Sequence, residues 1–281
     1  MAFERCAACG LVFLSPRYSA DTLARFYGVP LEQRASRRMQ PADSDSNPRY
    51  ERRVRARFDR LAGLVRRHRS EVKLVVDVGA SDGASLQPFL AAGAQAVAID
   101  PALQAGANAR WEVYPGLEAL KAEGLKPDVV LSMQTFEHLL SPRAMARTAI
   151  ETMADDGLLV VEVPYDLQWM NFVTNMSEPT QAGHGGHINF FTSDSLTRMS
   201  ASWGASIVEV RVGAQIKQYG GLVPSITLVA RPDRSGGEAS AGALHAPLQS
   251  LATILDRDRR LVRRAQQRER ALGFVARRGS W

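Results

Sequence analysis

The strongest constraint on this chain is a series of short, β-branched apolar runs separated by helix-length segments. Leu74-Val75-Val76-Asp77-Val78 is the first such run and ends in Gly79. Further runs follow over 96–100, 111–114, 128–132 and 157–163, and again over 206–212 and 225–230. Helical spacing fills the gaps: to about residue 92, then over 117–123, 142–153 and 194–203. Continuous apolar strands alternating with helices predict βαβ units, with a mostly parallel sheet covered on both faces. The expectation is an α/β domain over 71–232.

The flanks read differently. Residues 1–49 predict a short ribbon, a small helix over 19–27 and a polar linker. Over 50–70 the apolar positions Val54, Phe58, Leu61 and Val65 share one helix face, and the other side is almost all Arg. Residues 233–281 read as a Gly/Ala/Ser-rich linker and a basic helix. Charge follows the same division. Residues 34–70 hold 12 Arg against 4 acids, and 231–281 hold 11 Arg against 5, around an acidic middle. The body that folds is therefore acidic, and no nucleic-acid-binding module motif is present. The flanking arginines are read as solvated helix faces. No apolar run is long enough for a membrane-spanning helix. Two cysteines cannot build a disulfide framework, which points to a reducing cytoplasm.

In open α/β sheets, ligands bind at the carboxyl ends of the strands. The turn after the first run is Asp77-Val78-Gly79-Ala80-Ser81-Asp82-Gly83. Its glycines permit a tight turn and close backbone approach to a ligand. Asp100 ends the second run, 23 residues after Asp77, and suits a carboxylate accepting from both ribose hydroxyls of a nucleoside. A dinucleotide would need G-x-G-x-x-G so that its pyrophosphate meets bare backbone. Here the spacing is Gly79-x3-Gly83, and Asp77 and Asp82 would repel a pyrophosphate. They favour a ligand carrying an ammonium or a sulfonium, and S-adenosyl-L-methionine carries both. An NAD(P)-dependent oxidoreductase is the rival enzyme. A non-catalytic cofactor-binding or nucleic-acid-binding module is the rival outside catalysis.

These residues resemble the class I S-adenosylmethionine-dependent methyltransferases. Residues 76–83, Val-Asp-Val-Gly-Ala-Ser-Asp-Gly, resemble the family's first motif, with Ser81 in place of its middle glycine. Asp100 resembles the ribose-binding acid of the second. Phe136-Glu137-His138-Leu139, Asp155-Asp156-Gly157-Leu158, Glu162-Val163-Pro164 and His187-Ile188-Asn189-Phe190-Phe191-Thr192 resemble later family segments, in family order. The resemblance covers about 71–231. It implies a Rossmann-like, doubly wound, seven-stranded sheet and methyl transfer to a small-molecule or sugar-type acceptor. The expected cofactor site is Asp77, Gly79, Ala80, Ser81, Asp82, Gly83 and Asp100, lined by Gln134 and Phe136. Cys6-Ala7-Ala8-Cys9-Gly10 resembles the second half of a zinc ribbon that precedes one subgroup; its first half is absent, so no metal is expected.

Methyl transfer needs alignment of nucleophile and methyl, and often a general base. The segment 165–191 sits where substrate lids lie in this fold, with Gly183, Gly185 and Gly186 as hinges. Candidate bases are His187, His138 and His184, because histidine titrates near neutral pH. Trp169 and Phe172 are read as lid packing. The acceptor is expected to be a small molecule, anionic or sugar-linked.

Overall fold

The structure, a computed structural model, describes residues 2–28, 48–103, 110–165, 187–216 and 222–234, with helical positions 260, 263, 264 and 267. Residues 166–186 of the expected lid, His184, Trp169 and Phe172 among them, lie outside the described residues, as do both linkers and nearly all of the C-terminal helix.

The central sheet has seven strands: β3 (Leu74–Val78), β4 (Gln95–Ile99), β5 (Glu112–Val113), β6 (Val129–Met133), β7 (Leu158–Pro164), β9 (Ala205–Ile216) and β10 (Leu222–Pro232). Their order is β5-β4-β3-β6-β7-β10-β9. The first five are mutually parallel, and β10 is antiparallel to both β7 and β9. All seven residues of β7 are buried, as expected of a strand covered on both faces. The chain order reverses at β3, whose neighbours are β4 on one side and β6 on the other. In open α/β sheets such a reversal is where ligands bind, at the carboxyl ends of the strands.

Two cores lie against the sheet. One carries Leu120 of α4 (Leu117–Ala122), Ile150 of α5 (Pro142–Thr152) and Leu196 of α6 (Ser193–Ser200). The other carries Phe58, Leu61 and Val65 of α2 (Pro48–His68) and Phe89 of α3 (Gln87–Leu90). The apolar face of α2 read from the sequence is thus its docking face. Its end is fastened by Arg69, which pairs with Asp128 and Asp156. Asp128 also accepts the backbone N–H groups of Lys73 at 2.6 Å and Leu74 at 2.9 Å, fixing the start of β3.

Two elements differ from expectation. The helix read from the Gly83 turn to residue 92 is one turn long, Gln87–Leu90. The Asp82 carboxylate accepts the N–H of Ala84, and the N–H of Leu86 bonds the carbonyl of Gly83. Residues 80–86 therefore wind as successive turns, because local side-chain and tight-turn bonds compete with the helical ladder. The N-terminal ribbon, in turn, belongs to a three-stranded sheet. Strand β1 (Ala2–Arg5) pairs with β2 (Val12–Ser15), and β2 pairs with β8 (Asn189–Phe190). The small helix follows as α1 (Ala20–Tyr27), capped by the Ser19 side chain. Val12, Leu14 and Leu23 pack with Ile188 and Phe190 in a third core.

Candidate functional site

The loop after β3 is built for close approach. Gly79 (φ +84°), Ser81 (φ +51°) and Gly83 (φ +70°) all adopt left-handed backbone. Only glycine does so freely, so Ser81 is held there by its surroundings. The N–H of Gly79 bonds the carbonyl of Ile99 at 2.7 Å, and that of Ser81 bonds Asp100 Oδ2 at 3.0 Å. A Cβ on Gly79 would lie 2.1 Å from Thr135 Oγ1, and one on Gly83 would lie 2.7 Å from the Trp111 ring. The glycines are therefore required by neighbours as well as by backbone.

Three carboxylates surround this loop in different states. Asp100 is half-buried at the end of β4, and its Oδ1 accepts from Ala102 N at 2.8 Å. Each oxygen has one backbone partner. A carboxylate offers about four acceptor positions, so capacity remains for ribose hydroxyls. Asp82 is exposed at the rim. Asp77 is buried beneath the loop at 1% exposure and accepts a hydrogen bond from Ser85 Oγ. Its Oδ1 has no hydrogen-bond partner among the described residues. Burial pushes its pKa up to about 6, against the lowering effect of Ser85; Asp100 and Asp82 push it further, and Arg57 opposes them. Ala80 is buried beside this loop.

The far wall follows β6. Gln134 is another left-handed residue (φ +60°); its N–H bonds Glu162 O at 2.7 Å and its side chain reaches Glu162 Oε1 at 3.3 Å. Glu162 accepts from Thr227 Oγ1 and pairs with Arg57, which projects from α2. Phe136, read from the sequence as lining the cofactor, is fully buried. Its ring packs on Phe191 and Trp203 at centroid distances of 6.4 and 5.8 Å. Apolar burial, worth about 1.5–3 kcal/mol for such a side chain, holds it in the core.

A second cluster lies past this wall. His138 ends the single 3-10 turn Phe136–His138, and His187 leads into β8. Their rings meet edge to face at 4.7 Å. His138 Nε2 lies 3.8 Å from Glu137 Oε1, and Glu137 is 1% exposed. The donor atoms of Glu137, His138 and His187 all fall within 4.8 Å of one another. Ile188 N bonds Glu137 O at 2.8 Å, and Asn189 Nδ2 donates to the carbonyls of Phe136 and Leu139. Two segments fifty residues apart are thereby locked together. The cluster thus sets two imidazole rings beside one buried carboxyl group. Sequence reasoning named both histidines but assigned no role to Glu137, Arg57, Glu162 or Tyr27. Adjacency of Glu137 to His138 was the only signal for the first, and the others are brought in by tertiary contacts.

At the N-terminus Cys6 and Cys9 are free thiols in a tight turn. Cys6 N bonds Leu11 O and Gly10 N bonds Cys6 O. Burial pushes the Cys9 thiol up to about 11, whereas backbone N–H groups outweigh burial at Cys6 and lower it. Among the described residues these are two sulfur ligands where structural zinc takes four.

Comparison with known proteins agrees with this architecture. The chain is 32% identical over 150 residues to the C-methyltransferase NovU of Streptomyces niveus, a match that covers 49% of this chain and 34% of that one. The chain thus spans about a third of that relative's length. Among solved structures, a SAM-dependent methyltransferase from Anabaena variabilis superposes with a TM-score of 0.52 at 15% identity, covering 82% of this chain and all of that one. The 1,6-didemethyltoxoflavin-N1-methyltransferase of Burkholderia thailandensis gives 0.51 at 15% identity, over 79% and 94% of the two chains. At such identities these two show the shared fold. The profile of the methyltransferase domain family matches residues 47–210, which span the basic helix, the glycine loop, both acids and the histidine pair, and the chain belongs to that family.

Proposed function

We propose that this chain transfers a methyl group from S-adenosyl-L-methionine to a small-molecule acceptor of sugar or anionic type. The observation that carries this reading is Asp100, held by Ser81 N and Ala102 N at the reversal point of the sheet, with acceptor capacity to spare. The glycine loop fits the cofactor. Gly79 and Gly83 let the loop turn tightly under Thr135 and Trp111, Ser81 and Asp82 stand exposed at its rim, and Asp77 carries an unpartnered buried oxygen beneath it. Asp77 and Asp82 supply the negative field that a sulfonium and an ammonium require. When bound, the cofactor supplies an activated methyl group. The protein's task is then orientation and proton handling. Asp100 would fix the ribose, Gly79, Ala80, Ser81 and Gly83 the backbone wall, and Gln134 the opposite side. His187 and His138 would take the proton released by the acceptor, with Glu137 stabilising the charge that results. His184 is a further candidate from the lid. NovU is by name a C-methyltransferase, which favours an acceptor whose carbon is made nucleophilic by loss of a proton. Two free cysteines support a reducing cytoplasm as the compartment.

Calorimetric titration with S-adenosylhomocysteine, beside Asp100→Ala, tests this. Micromolar binding is expected in the wild type. The loss of charge-assisted hydrogen bonds in the variant should weaken it by roughly 10- to 100-fold. A folded wild type that does not bind would refute the proposal. Sugar nucleotides with labelled methyl donor then form the acceptor screen.

A further inference from the structure

We infer that the N-terminal ribbon and helix are a built part of the acceptor site, and that Tyr27 is a positioning residue for His138. This rests on the methyltransferase reading for its purpose, but the contact itself stands independently. Tyr27 Oη lies 2.7 Å from His138 Nδ1, and the two rings are tilted against each other at 5.3 Å. The partners are 111 residues apart in sequence.

The ribbon is anchored on both segments that carry the histidines. Strand β2 pairs with β8, two residues beyond His187, and Leu14 N bonds Ile188 O at 3.0 Å. Arg17 donates to Leu140 O, two residues beyond His138, and its guanidinium stacks on Phe13 at 4.6 Å. Leu23 of α1 is buried in the core with Ile188 and Phe190, which sets the helix so that Tyr27 faces the histidine. Ladder, polar anchor and apolar core converge on the same place.

The hydrogen-bonding chemistry assigns a state to the ring. Among the described residues the groups that meet it are Tyr27 from α1, Glu137 from its own turn and His187 from the approach to β8, with Arg17 two residues further on at Leu140 O. The Glu137 carboxylate lies 3.8 Å from Nε2, beyond hydrogen-bond distance, and through its charge favours a proton on that nitrogen. A phenol is a better donor than acceptor, so Tyr27 favours a lone pair on Nδ1. Both neighbours select the Nε2–H tautomer. When the ring takes a second proton, the phenol oxygen can accept from Nδ1–H, so the ring keeps its orientation through the proton transfer. Tyr27 thereby acts on the reaction through His138.

The test is long-range proton–nitrogen NMR of the full-length protein labelled in histidine, with and without S-adenosylhomocysteine. In the wild type, His138 should be the Nε2–H tautomer in its neutral form. Tyr27→Phe should shift the ratio toward Nδ1–H by roughly fivefold, the equivalent of one net hydrogen bond. Arg17→Met, which loosens the anchor but keeps the phenol, should shift it in the same direction by less. An unchanged ratio in a folded Tyr27→Phe protein overturns the inference. Affinity for S-adenosylhomocysteine reads the cofactor site separately. Failure of the wild type to bind it would refute the proposed function while leaving the tautomer measurement decisive for Tyr27.

Discussion

The buried carboxyl of Asp77 makes stability depend on pH in a way that can be measured. Its carboxyl is buried at 1% exposure, and burial raises its pKa from the ordinary 3.8 to about 6. Each pKa unit corresponds to 1.36 kcal/mol, so a difference of about two units places roughly 3 kcal/mol of cost on the ionised form in the folded state. Because the folded value lies above the unfolded one, protonation favours folding. The stabilising contribution is fully present below about pH 4 and is lost as pH rises through about 6. Asp77→Asn keeps the shape and a carbonyl acceptor for Ser85 but never ionises. Relative to the wild type it should gain up to about 3 kcal/mol at pH 8 and close to nothing at about pH 4. Urea unfolding of both proteins at several pH values across this range measures the difference. A stability difference that is flat with pH, or that grows toward acid, would refute the assignment of a strained buried carboxylate. The same variant should bind S-adenosylhomocysteine more weakly, since the charge that destabilises the fold is the one proposed to attract the ligand's ammonium, and should weaken S-adenosylmethionine binding more, since that ligand carries a sulfonium as well.

Other perturbations follow from individual contacts. Gly79→Ala places a Cβ 2.1 Å from Thr135 Oγ1 on a backbone at φ +84°. It should cost about 1–3 kcal/mol in thermal or urea unfolding and abolish detectable cofactor binding, with Thr135→Gly recovering part of the stability. Asp128→Ala leaves the N–H groups of Lys73 and Leu74 without their acceptor and removes one of the two carboxylates that pair with Arg69; a loss of about 3–5 kcal/mol is expected by urea unfolding. Phe136→Ala empties a fully buried aromatic site and should cost about 3–5 kcal/mol. Its effect on calorimetric cofactor affinity should be small if the ring serves the core, and a large selective loss of affinity at unchanged stability would place it in the cofactor wall instead.

The sheet was legible in the sequence because parallel strands buried on both faces must be almost continuously apolar, as 74–78 and 158–163 are apart from Asp77 and Glu162. The acid at the end of β4 was legible because the length of a βαβ unit sets the spacing between successive strand ends. Tertiary context decided the boundaries of β9 and β10. These two strands pair with each other over eleven residue positions, well past the apolar stretches that marked them in the sequence. The winding of 80–86 was hidden for a different reason: whether Asp82 captures Ala84 N or lets a helix begin is a local competition of small free energies.

Sequence alone determined the composition of the glycine loop and the acids around it, since those chemistries depend on residue type and on short-range spacing. It also named His138 and His187. What joined them was the docking of β8 on β2 and of α1 against both, which carries Tyr27 to His138 and Arg17 to the carbonyl of Leu140. Contacts between residues more than a hundred positions apart leave no periodicity to read. They follow from how buried surfaces fit, and only the folded chain decides that.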